Sequence, residues 1–368
     1  MEKLHPACLV LADGTFFRGE AFGALDAEAH GELVFSTSMT GYPELLTDPS
    51  YCEQILTLTT PEIGNYGVTA ADFESHRIWA SGLVIRSLSP IVSNWRSEMS
   101  LDTWLKQEKI PGICSIDTRA LVRHLRDAGS MMSILSTHAN VDVAELTHRA
   151  KNLPGMAGRD LMSKVTCKSA YEFGAGNNLF HVVAVDYGVK HNMLRILVQL
   201  GCRVTVVPAS MSADAIMGYA PDGVLLSNGP GDPKAATGAI KTIKNLLGKV
   251  PIFGICMGHQ ILCLALGGST YKLKFGHRGG NQPVRTETGR VMMTSQNHGF
   301  AVEHKKDVDF SRINISDDTV EGMDRPDLWA FSVQYHPEAA PGPHDARWEF
   351  DKFINMMKAF NERQTNRG

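Results

Sequence analysis

Through the first 150 residues the apolar positions come in short runs broken by turn-forming clusters. ACLVLADGTFFRG reads as a β-hairpin, with Asp13-Gly14 supplying a type I′ turn. GELVFSTS, SGLVIRSLS and MMSILST predict further strands. Between them the pattern turns helical over Leu101–Glu108, and again from Asp117, a predicted N-cap, to Asp127. Strands and helices mixed in this way predict an α+β domain over residues 1–151. The next stretch, 152–179, carries Gly, Asn, Ser and Pro without a steady period and reads as a linker.

From Phe180 the pattern becomes regular. HVVAVDYG is an apolar strand and HNMLRILVQLG a helix ending on Gly201. RVTVVP, GVLLSNGPGD and VPIFGI repeat the strand theme, with helices over Ala213–Tyr219 and Ala235–Leu247 between them. Strands apolar on both faces, alternating with helices, predict an α/β domain over 180–368. Its sheet is expected to be mostly parallel and flanked by helices, with ligands beyond the carboxyl ends of the strands.

Composition adds little. Of the 368 residues, 43% are hydrophobic and 20% charged, which is ordinary for a globular protein. A net charge of −3 gives no reason to expect nucleic acid or a membrane surface as partner, and Lys305–Lys306 reads as a solvated surface pair. Seven cysteines without a CxxC pair argue against a disulfide framework or a zinc site and favour a reducing, cytoplasmic compartment. Between Lys249 and Lys272 no side chain is charged. Pro251, Gly254, Gly258 and Gly267–Gly268 break that stretch, so a buried strand, a tight turn and a helix explain it better than a membrane span.

Chemistry enters inside that stretch. Gly254-Ile255-Cys256-Met257-Gly258 lies between the strand VPIFGI and the helix HQILCLAL, a G-x-nucleophile-x-G elbow with Cys as the nucleophile. Small neighbours let the chain turn sharply there, and the positive end of the helix dipole faces the sulfur. A buried inert cysteine between incidental glycines is the alternative. Tyr335-His336-Pro337-Glu338 follows the strand WAFSVQ. In extended chain His336 and Glu338 project to the same side, so the carboxylate can orient the imidazole; a surface His beside a solvated Glu is the plainer reading of that motif alone. Ser227-Asn228-Gly229-Pro230-Gly231-Asp232-Pro233 is a glycine loop whose N–H groups can approach an oxyanion, or else a simple turn. Gln296-Asn297-His298-Gly299-Phe300 follows the strand VMMTS, and its amides suit the polar end of an amino acid.

GICMGHQ, SNGPGDP and the late HPE, in that order, resemble the class I, triad-type glutamine amidotransferases over residues 180–360. KFGHRGGNQPV, TSQNHGFAV and SVQYHPEAAPGPHDA narrow the likeness to the carbamoyl-phosphate synthase small-subunit family. In the first half STSMTGYPELLTDPSY, EIGNYG and GICSIDTRALVRHLRDAG carry the same resemblance.

The resemblance implies that Cys256 attacks glutamine, with His336 as acid–base and Glu338 orienting it. Backbone N–H groups of Met257 and Gly231 would form the oxyanion hole. Ser50, Gly229, Gln260, Asn297, Gly299 and Phe300 match positions that hold glutamine in the family. No P-loop or ATP-grasp pattern is recognisable, so the resemblance also implies a large partner subunit that holds ATP and a divalent metal and receives the ammonia. This chain itself would need no cofactor and no metal. A heterodimer supplying carbamoyl phosphate to arginine or pyrimidine synthesis is expected, and higher-order assembly of heterodimers is compatible with it. Three alternatives remain at this level: the glutaminase subunit of another synthase, a stand-alone γ-glutamyl hydrolase, or a catalytically silent regulatory subunit.

Overall fold

The computed structural model describes residues 5–174, 178–304 and 310–365, so the Lys305–Lys306 pair lies outside the described residues. The chain forms two compact units. One comprises Met1–Met156 with Lys274–Arg278, the other Ala157–Leu273 with Gly279–Gly368.

In the first unit seven strands close into a barrel, which the α+β reading did not anticipate. Pro6–Leu11 pairs antiparallel both with Phe16–Gly23 and with Met131–Ser136. Glu28–Ser36 pairs parallel with Gln54–Leu58, which pairs parallel with Gly82–Val84. Pro111–Cys114 completes the ring, parallel to Gly82–Val84 and antiparallel to Phe16–Gly23. Closure removes exposed sheet edges. It rests on pairings such as Cys8 with Ser136, which no local pattern announces. Leu9, Leu11, Leu33, Ile55, Val84, Ile113 and Leu135 share one core with Leu121 and Leu125 of the helix Thr118–Ala128. Asp117 caps that helix by accepting from the Ala120 N–H at 2.9 Å.

The first hairpin forms with a different turn. Asp13 keeps an ordinary negative φ, and only Gly14 is left-handed, at φ 94°. Gly14 N–H donates to the Leu11 carbonyl and Leu11 N–H to the Thr15 carbonyl. This is a turn with a glycine bulge; type I′ would need positive φ at both central residues.

The second unit holds a ten-stranded sheet. Its centre is parallel, in the order Arg203–Pro208, His181–Asp186, Gly223–Leu226, Ile252–Ile255, Ala330–Val333. Beyond Ala330–Val333 antiparallel pairing begins with Val320–Arg325, and the long strands Val291–Val302 and Thr270–Thr286 follow with Arg312–Asn314 at the edge. The sheet is therefore mixed rather than mostly parallel. The stretch read as a linker supplies the opposite edge, where Tyr171–Phe173 pairs antiparallel with Arg203–Pro208.

The parallel strands send alternate residues to two cores, as their pleat requires. Val183, Val185, Val224, Leu226 and Ile252 face the helices Thr237–Leu246 and Met257–Ala265. Val182, Ala184, Leu225, Phe253 and Ile255 face His191–Gln199 and Trp348–Thr365. The chargeless stretch thus becomes the strand Ile252–Ile255 and the helix Met257–Ala265, and no described helix is long and apolar enough to cross a membrane.

Candidate active site at the strand ends

Cys256 follows the strand Ile252–Ile255 directly and adopts φ 53°, ψ −101°, a backbone strained for any side chain but glycine. The surroundings leave no alternative path. A Cβ on Gly258 would lie 2.2 Å from the Leu226 carbonyl, and one on Gly254 would meet the Gly258 backbone at 2.8 Å. The turn is fastened by Cys256 N–H to the Val333 carbonyl at 2.9 Å and Gly258 N–H to the Ser227 carbonyl at 3.0 Å. The sulfur is thereby presented at the N-terminus of the helix Met257–Ala265, 3.7 Å from the Asn297 carbonyl. The turn is built on two glycines that cannot carry a side chain.

His336 comes three residues after the neighbouring parallel strand Ala330–Val333 and is held by its N–H to the Ser295 carbonyl at 2.8 Å. Its Nδ1 lies 2.7 Å from Glu338 Oε1, and both side chains are buried. Nε2 has no hydrogen-bond partner within normal geometry among the described residues, and the Cys256 sulfur is the group that acts on it. Burial opposes charging of the imidazole, but the Glu338 carboxylate and the Cys256 sulfur outweigh it and raise the pKa to about 10. Glu338 shows the converse. Burial favours its neutral form, yet Lys190 and His336 pull its pKa down to about 2.

Lys190 escaped the sequence reading. It follows the parallel strand His181–Asp186 and starts the helix His191–Gln199. Its Nζ donates to Glu338 Oε1 at 2.8 Å and to the Ala339 carbonyl. Asn192, two residues on, donates to the Glu338 carbonyl at 2.6 Å. Only the strand-end location could have hinted at Lys190, because its partner stands 148 residues away.

A second buried network fixes the residue before His336. Tyr335 Oη donates to Glu349 Oε1 at 2.6 Å, and the Arg312 guanidinium grips both Glu349 oxygens at 2.9 and 3.1 Å. Arg312 and Glu349 are both fully buried, so this fork ties the C-terminal helix to the edge strand and to Tyr335.

The remaining expected residues fall as follows. Gly229 has no room for a side chain, since a Cβ there would lie 2.1 Å from the Tyr187 carbonyl. Gly231 is left-handed at φ 94°, and the loop around it is pinned where Asp232 accepts from the Gly158 and Lys234 N–H groups. The N–H groups of Met257 and Gly231 have no acceptor among the described residues. Gln260 commits its NH₂ to the Phe300 carbonyl at 2.7 Å and to Gln334 Oε1 at 3.0 Å, so it braces the Gln296–Phe300 segment as well as lying beside it. Asn297, Gly299 and Phe300 all lie on the strand Val291–Val302. Ser50 sits in the first unit, in a short 3₁₀ turn where its N–H donates to Asp48; its role rests on the resemblance alone.

A cysteine on a strained strand–helix elbow beside a His–Glu pair is the constellation of triad-type glutamine amidotransferases, and residues 183–356 match the sequence profile "Glutamine amidotransferase class-I". Residues 9–135 match "Carbamoyl-phosphate synthase small chain, CPSase domain". Proteins named carbamoyl phosphate synthase small chain are similar over nearly the whole length. That of Syntrophotalea carbinolica is 53% identical over 97% of this chain and 99% of its own. That of Chlorobaculum tepidum is 50% identical over 96% and 98%. A chloroplastic one from Oryza sativa subsp. japonica is 47% identical over 97% of this chain and 83% of its own. The chain belongs to the carbamoyl phosphate synthase small-chain family.

Proposed function

We propose that the chain hydrolyses L-glutamine and passes the ammonia to a large synthetase chain that makes carbamoyl phosphate. One observation carries this reading: Cys256 in its strained elbow stands beside a buried His336–Glu338–Lys190 chain in which every member is charged or chargeable.

Cys256 attacks the side-chain amide carbon as a thiolate, its proton residing on His336 Nε2. The oxyanion is received by the Met257 and Gly231 N–H groups. Collapse of the tetrahedral species moves the Nε2 proton to the departing nitrogen, so ammonia leaves and a thioester remains. Water then gives a proton back to Nε2 as its oxygen attacks the thioester, and glutamate leaves with Cys256 restored. Glu338, held ionised by Lys190, keeps Nδ1 protonated throughout. Gly229, Asn297, Gly299 and Phe300 shape the substrate pocket, with the Gln260 carbonyl oxygen as a further acceptor. In this reading ATP and divalent metal belong to the large chain, and both chains work in the cytoplasm.

Cys256→Ala tests the proposal. Glutamate release and glutamine-dependent synthesis should vanish, while the complex with the large chain still makes carbamoyl phosphate from free ammonia. Loss of both activities in a folded, bound variant would overturn the division of labour. Retained glutamate release would overturn the nucleophile. The presence of Cys256, His336 and Glu338, with the last two in contact at 2.7 Å, supports the catalytic reading over a silent regulatory role.

A further inference from the structure

The first unit contains a hollow of about 600 Å³ lined by Arg86, Arg119, Arg123 and Arg126, with Thr59, Pro61, Thr118 and Val122 completing the wall. No acidic side chain lines it. Arg119, Val122, Arg123 and Arg126 fall on one stripe of the helix Thr118–Ala128, opposite the buried Leu121 and Leu125. That stripe runs against the helix's own interest. Arg119 stands in the first turn, where the dipole favours acids, and Arg119/Arg123 and Arg123/Arg126 are like-charged neighbours. Arg126 pairs with Asp127 at 3.0 Å, but Arg86, Arg119 and Arg123 have no ion-pair partner among the described residues. In a chain whose net charge is −3, cations gathered at local cost and left unneutralised await negative charge from outside.

We infer that this arginine-lined hollow is the docking site for an acidic surface segment of the large chain. The inference rests on the proposed function for the existence of that partner. The hollow is not built like a small-ligand pocket, which is mostly apolar and encloses its guest. Its guanidinium-bearing residues are all exposed. Apolar anchors adjoin it along the chain: the strand Ser87–Leu88, directly after Arg86, leads into a loop on which Ile91 is 70% and Trp95 is 93% exposed. Arginines with an exposed tryptophan are the side chains that dominate protein interfaces. Carboxylates projecting from the partner would form bidentate pairs with the guanidinium groups.

The experiment is a titration of full-length chain with purified large chain at low and moderate salt, comparing wild type with R119E/R123E and with R119K/R123K. We expect the Kd of R119E/R123E to rise at least about tenfold with a weaker dependence on salt, and that of the lysine variant to rise less, because lysine keeps the charge but not the bidentate geometry. Glutamine hydrolysis by the isolated variants should match wild type, since these residues are exposed and outside the catalytic machinery, and R119E/R123E should melt no lower than wild type, because the reversal puts an acid in the first turn and relieves the like-charge pairs; should the reversal impair folding, R119A/R123A serves instead. Unchanged affinity of the charge-reversed variant overturns the docking site and leaves the glutaminase reading intact. So does saturable binding of inorganic tripolyphosphate in the hollow without any effect of the variants on association. Failure of the wild-type chain to bind the large chain at all would instead overturn the proposed function, and the docking site with it.

Discussion

Lys190 Nζ and Glu338 Oε1 lie 2.8 Å apart with their side chains 4% and 0% exposed. A buried carboxylate this close to His336 would otherwise be free to take up a proton, and a neutral Glu338 could not hold the imidazole's Nδ1 proton. The lysine makes the ionised form the resting one. In the proposed mechanism it acts through Glu338, as a positioning residue.

Replacing Lys190 with Met leaves that buried carboxylate with His336 as its remaining ionisable partner among the described residues. Removal of one partner of a buried pair costs about 3–5 kcal/mol. Lys190→Met should therefore lower stability by an amount of that order and sharply reduce glutamine hydrolysis. The acidic limb of the rate profile should move to higher pH, because Glu338 loses the first cause of its low pKa. Urea denaturation and a pH–rate series check both, and an unmoved acidic limb would remove Lys190 from the mechanism.

His336 and Glu338 also leave a signature in stability. The imidazole's pKa rises from 6.5 to about 10, so its contribution is full below 6.5 and is lost as pH climbs toward 10. The carboxyl's falls from 4.5 to about 2, so its contribution is full above 4.5 and is lost as pH drops toward 2. Both are present between 4.5 and 6.5. The stability gap between wild type and His336→Asn should be widest in that window and narrow steadily on the alkaline side. A gap that instead widens with pH would show that the imidazole is buried neutral.

Gly258 tests the elbow without touching a reacting atom. In Gly258→Ala the new methyl would sit 2.2 Å from the Leu226 carbonyl, which is backbone and cannot step aside. Overpacking of this kind costs about 1–3 kcal/mol. The expected result is a loss of that size in chemical denaturation, with a fall in kcat much larger than any change in KM, because the sulfur is displaced from His336. Wild-type kcat would mean that the elbow tolerates relaxation.

A glutamine-like chloroketone should label Cys256 alone. Burial pushes the Cys8 and Cys114 thiols up, and pushes those of Cys167 and Cys202 up to about 12 with help from Asp186 and Asp222 respectively. Such thiols are almost wholly protonated at neutral pH and react slowly. Brief treatment near neutrality followed by peptide mapping should find the label on the Cys256 peptide, with excess glutamine slowing it. Label spread over several cysteines, or indifferent to glutamine, would contradict the assignment.

What the sequence determined by itself was local. The elbow could be read from Gly254 and Gly258 around Cys256, and the His336–Glu338 pair from a two-residue spacing, because backbone geometry at these points is dictated by neighbours in the chain. The N-cap at Asp117 and the helix stop at Gly201, which is left-handed at φ 89°, belong to the same class. Tertiary structure decided whatever depends on residues far apart. The barrel closes through Pro6–Leu11 and Met131–Ser136, and nothing within either strand names the other. The stretch read as a linker became an edge strand because a neighbouring strand, Arg203–Pro208, offered an open ladder. Lys190 is an ordinary lysine until the fold buries it against Glu338, and Arg312 until it meets Glu349. A side chain's charge state follows from desolvation and from which charges stand within a few ångströms, and both quantities exist only once the chain has folded.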